Sequence, residues 1–364
     1  MKPKVLIVTI FCLILAFFLL TLYPNASAFS LRWLPPNSSS HFQAEEIKVL
    51  KKVGEIGEKF GEGEEDYFWH IDDLCCDDEG NLYVADSGWN KIFKFSPEGK
   101  FLGSFGREGQ GPGEFMANPR LRQLRITFGN DGKFYVYNLG NNRLSIFSRN
   151  FEFIKAQVIP FNFRLLDTPA VNSDGDIYLV ARIGHKLIHH FNKNLELKSS
   201  FLEVKEHFQF PFHKPEKLSP FVGEFDLRKR ITGKNHIIAV SNYALTVFHF
   251  NDQDELVNKF QVNNELFIKD FSERIKQLKK DKKKRQGGIL PFYLFIDPQE
   301  KICLAYYNKS LKNFEIYRYS LEGKLIDVLR FLQRISPPIK MDNQGNIYTI
   351  NKLTALTIIK YKIK

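Results

Sequence analysis

Cysteine is scarce in this chain: there are four in 364 residues, and Cys12 lies inside the apolar run from Val5 to Leu20. The other three, Cys75, Cys76 and Cys303, are an odd number. That excludes a fully paired disulfide framework, and a chain of this length can bury a core without one. Cys75 and Cys76 are adjacent on a predicted strand, so their side chains point to opposite faces; they read as two small buried groups, with a vicinal disulfide as the other reading. Familiar catalytic spacings are also missing. The sequence has no His-Glu-x-x-His, no Gly-x-Ser-x-Gly, no phosphate-cradling glycine loop before a helix and no Cys-x-x-Cys, which leaves zincin, serine-hydrolase, nucleotide and thioredoxin chemistry without a local footing. His189 and His190 would face opposite sides of one strand, a poor geometry for a shared metal. Asn172, Asp174 and Asp176 have the spacing of the start of a calcium loop, but the closing Glu is absent and a turn explains them.

What is present at the N-terminus is a charged start at Lys2 and Lys4, the apolar run, and small residues at Ala26-Ser27-Ala28. That pattern predicts a signal peptide over 1–28, removed after Ala28; the run is also nearly long enough to remain as an uncleaved membrane anchor. Residues 29–45 then form a linker. Either way the working domain is exported, periplasmic or extracellular. Loss of Lys2 and Lys4 lowers the formal charge from +11 to +9. A basic exported domain meets anionic lipid or acidic polysaccharide, and no nucleic acid is expected.

The middle and end of the chain are repetitive. DDEGNLYVADSGWNKIFKFSPEGKFLGSF from Asp77, GNDGKFYVYNLGNNRLSIFSRNFEFI from Gly129 and NSDGDIYLVARIGHKLIHHFNKNLELKSSF from Asn172 share one plan. A tight polar turn leads into an apolar-Tyr-apolar strand, a short polar loop and a second aromatic strand introduced by Lys or Arg. Clear copies of the first strand lie at Asn81 to Val84, Lys133 to Val136, Asp176 to Leu179 and Asn346 to Thr349, and worn ones at His236 to Val240 and Lys301 to Ala305. Six copies of strands with alternating apolar residues predict an all-β, six-bladed β-propeller of four-stranded antiparallel blades, covering 46–364. The last copy ends in TIIKYKIK, a third strand with no fourth. The strand near Ile47 to Val53 is therefore predicted to complete the last blade, which removes a free sheet edge. Thirty-five Phe suit packing between blade faces.

Over about Glu46 to the C-terminus the chain resembles the NHL-type six-bladed propellers, in particular exported bacterial proteins described as six-bladed beta-propellers. VADSGWNKIFKFSPEGKFLGSFGREGQGPGEF carries the resemblance most strongly, and it weakens between Val204 and Pro291. It implies the fold and leaves the activity open, because one architecture hosts many functions.

With strands lettered A to D outward in each blade, tight A–B and C–D turns occupy one end and the long B–C and D–A loops the other. A binding site is expected on the loop-rich end, where the channel opens. Its candidates are Trp69, His70, Trp89, Arg120, Arg122, Arg125, Phe163, Arg164, Arg182 and His185, with His207 and His213 on a longer loop. Arginines beside aromatics suit carboxylate, sulfate, phosphate or sugar, although pairing with Glu64, Glu65 or Glu114 would also account for them. Asp86, Asn90, Asn138 and Asn142 are expected to clamp turns. Phe267, Phe271, Ile275 and Leu278 recur at helical spacing, which predicts an amphipathic helix over 263–286 between blades 4 and 5. Its basic end, Lys279, Lys280, Lys282, Lys283, Lys284 and Arg285, either stays solvated or meets an anionic membrane. Asn25, Asn37 and Asn308 head glycosylation sequons. The resulting expectation is a non-enzymatic recognition or scaffold module binding a protein, glycan or anionic ligand, with no cofactor. The alternative is a lyase or hydrolase holding Ca or Zn in the channel.

Overall fold

The computed structural model describes residues 46–57, 59–60, 67–116, 124–159, 168–203, 227–241, 245–262, 264–269, 273, 292–351 and 356–363. The chain enters through β1 (Glu46–Ile56). Blade 1 follows as β2 (Ile71–Cys76), β3 (Leu82–Asp86), β4 (Lys91–Phe95) and β5 (Phe101–Phe105). Blade 2 is β6 (Leu124–Phe128), β7 (Phe134–Asn138), β8 (Arg143–Phe147) and β9 (Phe153–Val158). Blade 3 is β10 (Ala170–Val171), β11 (Ile177–Ile183), β12 (Lys186–Phe191) and β13 (Leu197–Glu203). Blade 4 is β14 (Leu227–Ile231), β15 (Ile237–Ser241), β16 (Thr246–Phe250) and β17 (Leu256–Gln261). Blade 5 is β18 (Tyr293–Ile296), β19 (Ile302–Asn308), β20 (Asn313–Tyr319) and β21 (Leu325–Phe331). Blade 6 is β22 (Ser336–Met341), β23 (Ile347–Asn351) and β24 (Thr357–Ile363), with its fourth strand supplied by β1.

Each blade is an antiparallel meander, as short connections require. The tight A–B turns repeat one bond, from the N–H of the first turn residue to the carbonyl of the fifth, at Asp77, Gly129, Asn172, Thr232, Asp297 and Asp342. A side-chain oxygen reinforces most of them. Asp77 Oδ1 accepts from the Glu79 and Asn81 amides, and Asn172 Oδ1 from those of Asp174 and Asp176. Asn172 and its neighbours are therefore a turn of the repeat.

The inner strands form a closed ring: β2 packs beside β6, β6 beside β10, β10 beside β14, β14 beside β18, β18 beside β22 and β22 beside β2. Strands with both faces covered read as near-continuous apolar runs, and the core divides accordingly into six clusters, one at each junction of neighbouring blades. Tyr83 and Phe134 meet between blades 1 and 2, Tyr137 and Leu179 between 2 and 3, and Tyr178 and Phe248 between 3 and 4. Val247 and Leu304 meet between 4 and 5, Leu329 and Ile359 between 5 and 6, and Ile350 and Phe93 between 6 and 1. Cys75 joins the cluster on one side of blade 1 and Cys76 the cluster on the other; both thiols are free and are pushed well above their ordinary pKa by burial. His189 and His190 also diverge: the His189 ring bonds to Ala181 O and Ser200 Oγ, the His190 ring to Asp176 and Asp254.

The closing strand does more than complete one blade. Leu50 to Ile56 pair antiparallel with β24, while Glu46 to Leu50 pair in parallel with β21 of blade 5, so that blades 5 and 6 form one eight-stranded sheet. Residues 265–269 are helical, and Asn264 Oδ1 caps them by accepting from the amides of Leu266 and Phe267. Phe267 is buried against Phe292, Tyr306 and Tyr317 at the junction of blades 4 and 5. Phe271, Ile275, Leu278 and the basic run Lys279 to Arg285 lie outside the described residues, as do residues 1–45, where a signal peptide and linker are expected. No helix among the described residues is long and apolar enough to cross a membrane. Asn308 is a turn clamp: its Oδ1 accepts from Ser310 and Leu311 amides and its amide group donates to buried Glu315.

Candidate functional site

Candidate channel positions are found by counting back from each A–B turn. The fourth residue before the turn is Asp73, Arg125, Thr168, Arg228, Tyr293 or Pro338, and the second is Cys75, Thr127, Ala170, Arg230, Phe295 or Lys340. These backbone positions make two rings, one residue per blade in each, but Cys75, Ala170 and Phe295 of the second are buried in the inter-blade clusters and do not line the channel. Asp73, Arg125, Thr168, Tyr293 and Pro338 of the first ring and Arg230 and Lys340 of the second line one cavity of about 240 Å³. His70 and Asp72 stand at its edge. All six blades contribute a wall, so the cavity is the mouth of the central channel; the Arg228 side chain lies outside the described residues.

The two carboxylates among the described residues of this cavity already have partners. Asp73 is 3% exposed; its Oδ1 accepts from the Leu74 amide at 3.0 Å and its Oδ2 from the Ile126 amide at 3.2 Å and Thr168 Oγ1 at 2.6 Å. Lys340 Nζ stands 3.5 Å from Asp73 Oδ1. Burial alone would raise the Asp73 carboxyl, but the charges of Lys340 and Arg125 together with these donors bring it below its ordinary pKa, so it stays ionised. Asp72 Oδ2 accepts from the Leu124 amide at 3.2 Å, and Oδ1 lies 3.2 Å from His70 Nδ1. That contact raises the His70 pKa above 6.5. Arg125 Nη1 donates to Asp72 O at 2.9 Å, and its buried Nε has no hydrogen-bond partner. Among the described residues lining the cavity, the cations Arg125, Arg230 and Lys340 come from blades 2, 4 and 6, and Asp72 and Asp73 accept from amides and a hydroxyl, with His70 beside Asp72 and Lys340 beside Asp73.

Beside the mouth stands an aromatic group. Trp69 and Trp89 rings are 5.2 Å apart at 66°, and Tyr67 and Trp89 rings 5.1 Å apart at 78°. Asp86 holds them: its Oδ2 accepts from the Trp69 amide at 2.7 Å, and its Oδ1 from the amides of His70, Gly88 and Trp89. Buried Asp86 therefore ties the B–C loop of blade 1 to the loop entering β2. Gly88 is required, since a Cβ there would stand 2.6 Å from Trp69 Cγ. The related clamps are smaller. Asn138 Oδ1 accepts from the Gly140 amide, and Asn90 and Asn142 both adopt φ 52°, a left-handed conformation that Asn tolerates.

Of the residues expected at the site, the structure brings His70 and Arg125 to the cavity and packs Trp69, the residue before His70, against Trp89. His185 is exposed in the β11–β12 loop, away from the cavity lining. Arg182 lies on β11, and its side chain, with Arg120, Arg122, Phe163, Arg164, His207 and His213, falls outside the described residues. Glu114 pairs with Arg107 and leaves Arg125 to the Asp72 carbonyl. Sequence reasoning missed Asp72, Asp73, Thr168, Arg230, Tyr293 and Lys340. The turn register picks out all but Asp72 as candidates, together with Cys75, Ala170 and Phe295, which are buried between blades. Among the described residues, no group of three or more His, Cys, Asp or Glu is arranged to hold a metal ion.

The family model described as 6-bladed beta-propeller, DUF5128, matches residues 64–333. No curated protein matches the chain. A Bacteroides fragilis protein assigned by its description to export superposes with a TM-score of 0.55 at 11% identity, over 88% of this chain and 100% of that one. A DUF4221 family member from Bacteroides vulgatus superposes with the same score at 12% identity, over 86% of this chain and 98% of that one. Virginiamycin B lyase from Staphylococcus aureus reaches a TM-score of 0.45 at 11% identity, over 86% and 88% of the two chains, too remote to bear on activity. These likenesses concern the fold alone.

Proposed function

Since the chain belongs to the 6-bladed beta-propeller family whose model spans residues 64–333, we propose that it is an exported recognition module that captures an anionic group at the mouth of its central channel. One observation carries this reading: Arg125, Arg230 and Lys340 converge on a single cavity whose carboxylates are already satisfied. A cationic, partly desolvated pocket with a forked guanidinium at its wall suits a carboxylate, sulfate or phosphate group. The N-terminal sequence pattern supports export. The reading is one of binding because it rests on these three cations.

Isothermal titration of the full chain with inorganic sulfate tests it. Wild-type protein is expected to bind, and Arg125→Gln or Lys340→Gln to weaken binding at least tenfold, in line with the loss of a charge-assisted hydrogen bond of about 1.5–3 kcal/mol. Binding that survives both substitutions would place the anion elsewhere.

The contact of His70 with Asp72 gives this reading a pH dependence. Its raised pKa means that the imidazole gains positive charge as pH falls through a value above 6.5. Asp73, held below its ordinary pKa, remains ionised there, and sulfate does not titrate. Sulfate affinity is therefore expected to rise from pH 8 to pH 6, and His70→Asn to flatten the profile. A flat wild-type profile would remove His70 from the site.

A further inference from the structure

The aromatic group beside the channel has no role in capturing a bare anion, yet it is held with care. Trp69 is 51% and Tyr67 43% exposed, although large aromatics ordinarily bury most of their surface. Exposure here is not slack. The Trp69 backbone amide is bound to buried Asp86, its ring rests where Gly88 has no side chain, and Trp89 Nε1 donates to Tyr67 O at 2.9 Å. Rings fixed in this way lose little entropy when a ligand is laid on them.

We propose that Tyr67, Trp69 and Trp89 form a sugar-stacking platform continuous with the cationic channel mouth, and that the ligand is an acidic polysaccharide whose carboxylate enters the channel. This rests on the anion-binding reading of the channel and extends it. The rings meet at 66° and 78°, so Tyr67 and Trp69 present separate plates about half open to water, with Trp89 partly buried against the core beneath them. An acyl chain or a leucine side chain gains most from enclosure. A pyranose instead has one flat face of C–H groups and a rim of hydroxyls, so it can cover an aromatic plate while its hydroxyls stay in water. Continuity along the chain joins the two parts. Trp69 belongs to the platform, and the next residue, His70, lines the channel mouth and contacts Asp72. Charge fixes the class of sugar: a neutral glycan has nothing to offer Arg125, Arg230 and Lys340, whereas a uronic acid carries its carboxylate on the ring that would stack.

The test is isothermal titration of the full chain with a galacturonic acid oligosaccharide, a neutral galactose oligosaccharide of equal length and inorganic sulfate. The acidic oligosaccharide is expected to bind at least tenfold more tightly than either other probe. Trp69→Ala is expected to weaken oligosaccharide binding at least tenfold while sulfate binding is unchanged, and Trp69→Phe to recover most of it. Arg125→Gln is expected to weaken both. Thermal melting of each variant, compared with wild type, separates lost stacking from lost folding. If Trp69→Ala leaves oligosaccharide binding intact, or the neutral sugar binds as well as the acidic one, the platform is wrong while the anion site stands. If sulfate fails to bind wild-type protein, the underlying anion reading is wrong; an acidic oligosaccharide that still depends on Trp69 would then keep the platform alone.

Discussion

Replacing Asp327 by alanine is expected to lower stability by about 3–5 kcal/mol, the cost of leaving a buried charge without its partner. Asp327 is 1% and Arg318 4% exposed, and they face each other on neighbouring strands of blade 5. Arg318 Nε donates to Asp327 Oδ1 at 2.6 Å, Nη2 bonds to Oδ2, and Nη1 reaches Asp297 Oδ2 at 3.3 Å. Lys48 Nζ on β1 stands 3.0 Å from Asp327 Oδ2. Without Asp327, the guanidinium keeps only the longer contact to Asp297, and β1 loses its charged tie to blade 5. Burial works to raise the Asp327 carboxyl, but Arg318 and Lys48 hold it below its ordinary value. A depressed carboxyl stabilises the fold above its unfolded pKa of about 3.9 and loses that contribution as pH falls through the lower folded value. The gap between wild type and Asp327→Ala should therefore be full at pH 7 and shrink below about pH 4. Urea denaturation followed by circular dichroism measures both. Replacing the pair together, Arg318→Met with Asp327→Leu, should cost much less than either single loss, since apolar groups need no partner. A loss below about 1 kcal/mol for Asp327→Ala would show that water reaches the pair.

The ring of blades was legible because its signal repeats. Asp-x-x-Gly-Asn at Asp77 and its relatives mark A–B turns, and each is followed by a buried strand such as LYVAD or FYVYN. Even the worn copies at His236 and Lys301 retain the turn bond, although Thr232 replaces Asp and residues 297–301 lack a glycine. Closure by β1 was readable from TIIKYKIK ending one strand short. Its parallel pairing with β21 was not, because neither hydrophobic pattern nor turn spacing specifies which outer strand a free edge will meet. The site was legible only in part. Long loops drew the eye to arginines and aromatics; of these His70 and Arg125 line the cavity, while Trp69 and Trp89 pack on each other. Arg230 and Lys340 carry no motif, and their place two residues before Thr232 and Asp342 is shared by Cys75, Ala170 and Phe295, which are buried between blades, so register alone does not single them out. Asp73 is subtler still. The β2–β3 pairing slips between Ile71 and Asp73, which brings two consecutive Asp residues to the same cavity where strict alternation would separate them.

Deleting 46–56 is expected to have the largest effect of all, a chain that no longer yields a cooperatively folding monomer. Leu50 and Ile56 are 1% and 7% exposed and belong to different inter-blade clusters, on either side of blade 6. By analogy with large-to-small core substitutions, losing each costs about 2–5 kcal/mol. Together they approach the whole stability of a typical domain, about 5–15 kcal/mol. Deletion also unpairs β24 along Ile358 to Ile363 and β21 along Asp327 to Phe331, two apolar edges that invite intermolecular pairing. Size-exclusion chromatography should show aggregates where wild type elutes as one species, and Leu50→Ala alone should remain folded but less stable by about 2–5 kcal/mol. A peptide of residues 46–56 added in trans should restore soluble monomer by adding a strand to the open edge. Sulfate binding should fall and return in step with it. Lys340 sits on the inner strand of blade 6 and Tyr293 on that of blade 5, and those are the blades that β1 holds together. A deletion variant that stays monomeric, unfolds as wild type does and still binds sulfate would mean that the ring closes through its inner strands alone and that β1 is only a cover on its outer edge.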